Sequence, residues 1–199
     1  WVLATIWAFE RVRRMKTRAD IAALCALVAD YGLPHECVPT EMKQFPKVWE
    51  TLLPHMGFTA MVRNLGKMTS LGLVQPFSEA AKHVVNQLGN ETALRRACIH
   101  PLAVLIAQKV YAQGHGEKGD LKWKPVAKII DALDAAFYAT FSSVEPCGKP
   151  VLLALDVSGS MDGSMIAGSC LSAREASAAM ALVTAATEPD CEIIAFSAG

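Results

Sequence analysis

Apolar residues recur at three- and four-residue intervals along most of the first 145 positions, and no strand-like alternation interrupts them before Val151. Thr17 with Asp20 three residues on forms an acidic variant of a capping box, which predicts a helix running to about Tyr31, where Gly32 ends it. Pro46, Pro101 and Pro125 each precede an amphipathic run and suit a helix's first turn, where a missing N–H costs nothing. Further helices are predicted over 59–69, over 76–88, and over 91–98 behind an Asn90 cap. The last, over 125–141, places Ile129, Ile130, Leu133, Ala136, Phe137 and Phe141 on one broad face. Many short helices joined by brief turns, with no long bundle helix, predict stacked helical pairs, an α-solenoid. No clean internal repeat accompanies them.

The rhythm breaks at Val144–Pro150, where two prolines and a glycine mark a domain boundary. Beyond it come an apolar run over 151–156, a helical stretch over about 172–187 and a second apolar run over 191–196. Strand, helix, strand is the opening unit of a doubly wound α/β domain. The chain therefore divides into a mostly α helical-repeat part, residues 1–146, and the start of an α/β part, residues 147–199. Trp1 is no initiator and the first residues read as already helical, so the sequence is expected to be an internal segment whose α/β unit is cut short. Its two strands would then show an open edge and open faces, with poor solubility as the consequence.

With 52% apolar residues the chain is able to bury a large core, which argues against general disorder. Six scattered cysteines form no C-x-x-C pair and no zinc spacing, so buried free thiols in a reducing cytoplasm are expected. No apolar stretch reaches the ~18 residues that span a bilayer, so no membrane partner is expected. The apolar-then-basic start is the reverse of a signal peptide. Net charge is zero overall, but residues 1–149 carry 18 Lys/Arg against 13 Asp/Glu, and residues 150–199 carry 1 against 6. A basic first part suits a polyanion and an acidic second part suits a cation, although an excess of this size is also what solvated surface charge gives.

The cation has a candidate site. Asp156, Ser158 and Ser160 fall at alternate positions where the first strand opens into a loop, and Gly159 permits the tight turn. One carboxylate and two hydroxyls are hard oxygen donors suited to a divalent cation, Mg²⁺ before Mn²⁺. The rival is an Asp/Ser turn capping the next helix, which uses the same residue types. A serine hydrolase would want G-x-S-x-G around Ser158, and an aspartyl-phosphate enzyme a carboxylate where Ser158 stands. Neither is present. The D-x-S-x-S pattern resembles the metal-ion-dependent adhesion site of von Willebrand factor A-type domains.

For the polyanion, Arg63 and Lys67 lie four apart on one predicted helix face with Asn64 alongside, a pattern suited to phosphates as well as to a solvated face. Lys122 and Lys124 flank Trp123, either as phosphate contacts around a stacking aromatic or as solvated ends around a packed one. Packing of Trp123 under the helix at Pro125 is the expected outcome. Arg95, Arg96 and His100 read as a helix-end surface. His115, between Gly114 and Gly116, has no metal-binding partner at ligand spacing and reads as a tight loop between the two parts.

Several segments in order resemble the Ro autoantigen (TROVE-domain) family: 58–69 (FTAMVRNLGKMT), 99–101 (IHP), 111–116 (YAQGHG), 121–125 (LKWKP), 133–138 (LDAAFY) and 144–149 (VEPCGK), ending in the adhesion-site motif. The resemblance implies a HEAT-like ring of helical repeats closed by a von Willebrand A-type domain. It implies an RNA-binding ribonucleoprotein scaffold, not an enzyme. The RNA partners it implies are Y-like RNAs on the outer ring and the single-stranded ends of misfolded non-coding RNAs at the central hole, in RNA quality control. It also implies a later threonine and aspartate completing the metal site, and N-terminal repeats carrying much Y RNA contact, neither of which this sequence contains. The alternative is a protein-interaction module in which a bound metal takes a partner's carboxylate and RNA is incidental.

Overall fold

The structure, a computed structural model, describes residues 2–117 and 119–197. It is mostly helical. Eight helices come first: α1 (Val2–Arg13), α2 (Ile21–Tyr31), α3 (Pro46–Leu52), α4 (Phe58–Ser70), α5 (Glu79–Leu88), α6 (Glu91–Ala97), α7 (Pro101–Gln113) and α8 (Ala127–Ala139). They are followed by β1 (Val151–Asp156), the single turn α9 (Ser160–Gly163), α10 (Ala173–Thr187) and β2 (Cys191–Phe196).

Local chemistry sets most of these boundaries. Pro46 and Pro101 begin α3 and α7. Ser78 and Asn90 cap α5 and α6, each side-chain oxygen accepting an N–H three residues on, from Ala81 and Ala93. Gly32 ends α2 at φ +60. Thr17 and Asp20 form their capping box ahead of α2, and the Thr17 N–H and hydroxyl hold the Asp20 carboxyl below its usual range. Two helices start later than the sequence predicts. Pro125 lies outside α8, whose cap is Val126, and α5 begins at Glu79 because Pro76 and Phe77 form a turn ahead of the Ser78 cap. The far end of α8 tightens into a 3₁₀ turn at Thr140–Ser143, so Phe141 lies beyond the α-helix.

The helices pack in neighbouring pairs, α2 on α1 and α3, α7 on α8, α8 on α5. On α4 the buried residues Phe58, Met61, Leu65 and Met68 follow three- and four-residue steps. They join one continuous core with Trp49, Leu24, Leu88, Ile129 and Leu133. That core crosses the predicted domain boundary, because Ala179 and Val183 of α10 belong to it. The linker is also held: the N–H groups of Cys147 and Gly148 donate to the Glu188 carboxylate just past α10 (2.7 and 3.1 Å) and keep its pKa low.

β1 and β2 pair in parallel, from Val151 opposite Cys191 to Asp156 opposite Phe196, with α10 packed against both. Leu152, Ile193, Ile194 and Phe196 stay exposed. The six cysteines are unpaired, but the expectation of buried thiols is corrected: Cys25, Cys37, Cys170 and Cys191 are only half-buried, and Cys98, at a helix end, and Cys147, in the linker, are exposed. No helix among the described residues is long and apolar enough to cross a membrane.

Candidate functional site

β1 ends at Asp156, and parallel pairing leaves its carboxyl end open to the loop that follows. There the chain turns back on itself. Both the N–H and the hydroxyl of Ser158 donate to Asp156 Oδ1, at 2.9 and 2.5 Å. These two bonds, the hydroxyl first, hold the Asp156 carboxyl below its usual range, so it is ionised across the neutral region. Ser160 is the first residue of α9, exposed, and its main-chain carbonyl accepts from the Ser164 hydroxyl (3.0 Å). Two of the three sequence-derived ligands are thus in direct contact, and the third begins the next helix two residues on. An ionised carboxylate touching a hydroxyl at an open strand end fits a hard divalent cation in donor chemistry. Among the described residues no group of three or more His, Cys, Asp or Glu side chains offers another metal site.

Arg174 adds a component that the chain announces only as the single Lys or Arg after Lys149. Its Nη2 donates to the Ser158 carbonyl oxygen (3.2 Å), and its Nη1 lies 3.3 Å from Asp162 Oδ2, so it clamps both ends of the Ser158–Asp162 loop. The next residue, Glu175, pairs with Lys109 of α7 while completing the capping box with Ser172. Lys109 and Ser172 hold the Glu175 carboxyl low. The loop, α10 and the helical part are therefore linked through two adjacent side chains.

On α4, Arg63 is exposed and borders two grooves. The larger, about 600 Å³, runs between α4 and α7 and includes Val62, Lys67, Ile106 and Val110. Lys67 Nζ donates to Gln44 Oε1 (2.7 Å), which fixes its position beside the groove. The Asn64 amide nitrogen donates to the Ala60 carbonyl (2.8 Å) and lies 3.4 Å from His35 Nε2, so it is held within the protein.

Trp123 packs as an internal side chain, against α7 and α4. Its ring stacks on Tyr111 of α7 (6.1 Å between centroids, 21°), its Nε1 donates to the Tyr111 carbonyl (2.9 Å), and its ring lies over Gly66 of α4. Lys122 and Lys124 on either side are exposed. His100 caps α7, its Nδ1 accepting from the Leu102 N–H. The Gly114–Gly116 turn closes locally on 121–123: His115 bridges Lys122, and the Trp123 N–H donates to the Gly114 carbonyl (2.8 Å).

Comparison with known proteins matches these parts. A family model described as the TROVE domain covers residues 34–110, and one described as the Ro60 vWA domain covers residues 150–199. A Caenorhabditis elegans protein named RNA-binding protein RO60 is 42% identical over 188 residues, 94% of this chain and 29% of that protein. Its namesake from Deinococcus radiodurans is 41% identical over 178 residues, 88% of this chain and 33% of that protein. The crystal structure of the Deinococcus radiodurans Ro (RSR) protein superposes with a TM-score of 0.86 at 39% identity, over 96% of this chain and 38% of that one. The chain spans about a third of the length of the relatives it matches.

Proposed function

Because the chain belongs to the Ro family of TROVE-domain proteins, we propose that it is part of an RNA-binding ribonucleoprotein scaffold acting in RNA quality control in the cytoplasm. Its partners are small structured Y-like RNAs and the single-stranded ends of misfolded non-coding RNAs. It captures RNA and turns over no substrate. The observation that carries this reading is the cationic face of α4, where exposed Arg63 and the positioned Lys67 border one groove. Phosphates entering from solvent meet two cations whose helix is anchored by four core side chains. Lys122 and Lys124 extend positive charge along the neighbouring turn, as phosphate contacts only, because the Trp123 ring is taken up by Tyr111 and Gly66.

Asp156, Ser158 and Ser160 would hold a divalent cation, Mg²⁺ by their donor chemistry. When bound, that cation supplies an open coordination position for a carboxylate of a protein partner. Arg174 steadies the loop that presents the three oxygens through the Ser158 carbonyl and Asp162.

The test is binding of the full-length protein to a structured RNA with and without a single-stranded tail, across a salt series. Tail-dependent binding is expected to weaken about tenfold in the Arg63→Ala/Lys67→Ala double variant. The slope of log affinity against log salt should flatten by roughly 1.4, two phosphate contacts to a single strand. An unchanged affinity and slope would remove RNA capture from this face.

A further inference from the structure

Phe77, in the turn between α4 and α5, has no part in the sites described above. Its φ is +66, a conformation costly for any residue with a Cβ and free for glycine. Its ring is 80% exposed, so the core gains nothing from it. The nearest cation is Lys128, in the first turn of α8, whose Nζ stands 5.7 Å from the ring centroid.

Around this ring the surface has the makings of a contact for a nucleotide chain. Pro76, Phe77, Lys82, Val85, Asn86 and Lys128 line a groove of about 410 Å³. Across Pro76 a second groove of about 260 Å³ is bordered by Lys124. Two lysines, Lys82 and Lys128, thus line one groove with an exposed aromatic ring and an amide, and Lys124 borders the groove across Pro76. Of the nearby carboxylates, Glu79 is engaged with Lys82 (2.7 Å), and Asp131 follows Lys128 three residues on along α8. The chemistry complements a polyanion with flat, stackable groups.

We propose that Phe77, with Lys128 and Lys124, forms a second binding site for single-stranded RNA, in which one base stacks on the ring and flanking phosphates meet the lysines. The inference rests on the RNA-binding reading above and adds grooves separate from those beside Arg63, with Lys124 standing between the two faces.

Glycine at this position separates binding from folding. In the full-length protein, Phe77→Gly relieves the left-handed backbone and should raise the melting temperature. It should also weaken binding of a single-stranded oligouridylate of about ten nucleotides roughly tenfold. Lys128→Ala should lower the salt slope by about 0.7. An oligouridylate carrying 4-thiouridine should crosslink at the 76–77 turn, and should still do so in the Arg63→Ala/Lys67→Ala variant. Wild-type binding with Phe77→Gly unaffected and crosslinks elsewhere would overturn this site and leave the RNA-binding reading intact. A wild-type protein that binds no oligouridylate and no tailed RNA would overturn both.

Discussion

Replacing Asp156 by alanine is expected to abolish divalent-cation binding by the full-length protein, whereas Ser160→Ala should weaken it by a smaller factor. Asp156 is the one charged member of the ligand set in this chain, and neutral hydroxyls hold Mg²⁺ poorly against its hydration shell. Its carboxylate is also an acceptor for the Ser158 N–H and hydroxyl, so alanine would remove both of these bonds. Asp156→Asn is the sharper variant, because its amide oxygen still accepts from Ser158 while the charge is gone. It should fold and melt like the wild type and yet take up no cation in calorimetric titration with Mg²⁺.

The pH dependence of cation binding has a definite sign. The folded-state pKa of Asp156 lies below its ordinary value, because Ser158 donates to its carboxylate, so it keeps its charge to lower pH than an unpartnered aspartate. Affinity should therefore hold as pH falls from neutral and decline only as pH drops through the lowered pKa, at lower pH than for an unpartnered aspartate. Full cation affinity in Asp156→Asn would place the metal elsewhere.

Much of the architecture is legible along the chain because local chemistry writes it. Asn90, Pro101 and Gly32 act within one turn of their own positions, and their helices begin or end where those residues dictate. The strand of 151–156 and its partner at 191–196 are legible as apolar runs bounded by turns. The late start of α5 is not, because Pro76 also satisfies the rule for a first helical residue. Only the geometry of the Phe77 turn decides for Ser78 as the cap.

The candidate site divides in the same way. Asp156 and Ser158 are two residues apart, and their contact follows from one tight turn. Arg174 reaches that loop from sixteen residues away, and Lys109 meets Glu175 across sixty-six. No periodicity encodes such pairs, since they depend on how α10 settles against α7. The same holds for Ala179 and Val183, whose apolar character is plain in the sequence while their membership of the helical core is a fact of tertiary packing.

Trp123→Ala should be among the most destabilising single substitutions in the helical part, because two helices, α4 and α7, converge on this ring. It stacks on Tyr111 of α7, donates to the Tyr111 carbonyl, and covers Gly66 of α4. Tyr111 is itself tied in, its hydroxyl 3.0 Å from Thr69 Oγ1 and accepting from the Val126 N–H (3.3 Å), and burial pushes its pKa up. Losing the indole leaves a void with α4 on one side and α7 on the other. The cost should be about 3 kcal/mol, the lower part of the range for large aromatic residues because the ring is only partly buried. The transition of this part should then melt roughly 6–12 °C lower.

Gly66 supplies the check. A Cβ there would lie 2.7 Å from the Trp123 ring, so Gly66→Ala alone should cost about 1–3 kcal/mol through overpacking. In the double variant the new methyl group enters space that the indole has vacated. The combined loss should therefore fall short of the sum of the two single losses by about 1 kcal/mol or more, a coupling that independent sites do not give. Strict additivity in thermal or denaturant unfolding would mean that the ring and Gly66 are not in contact in solution.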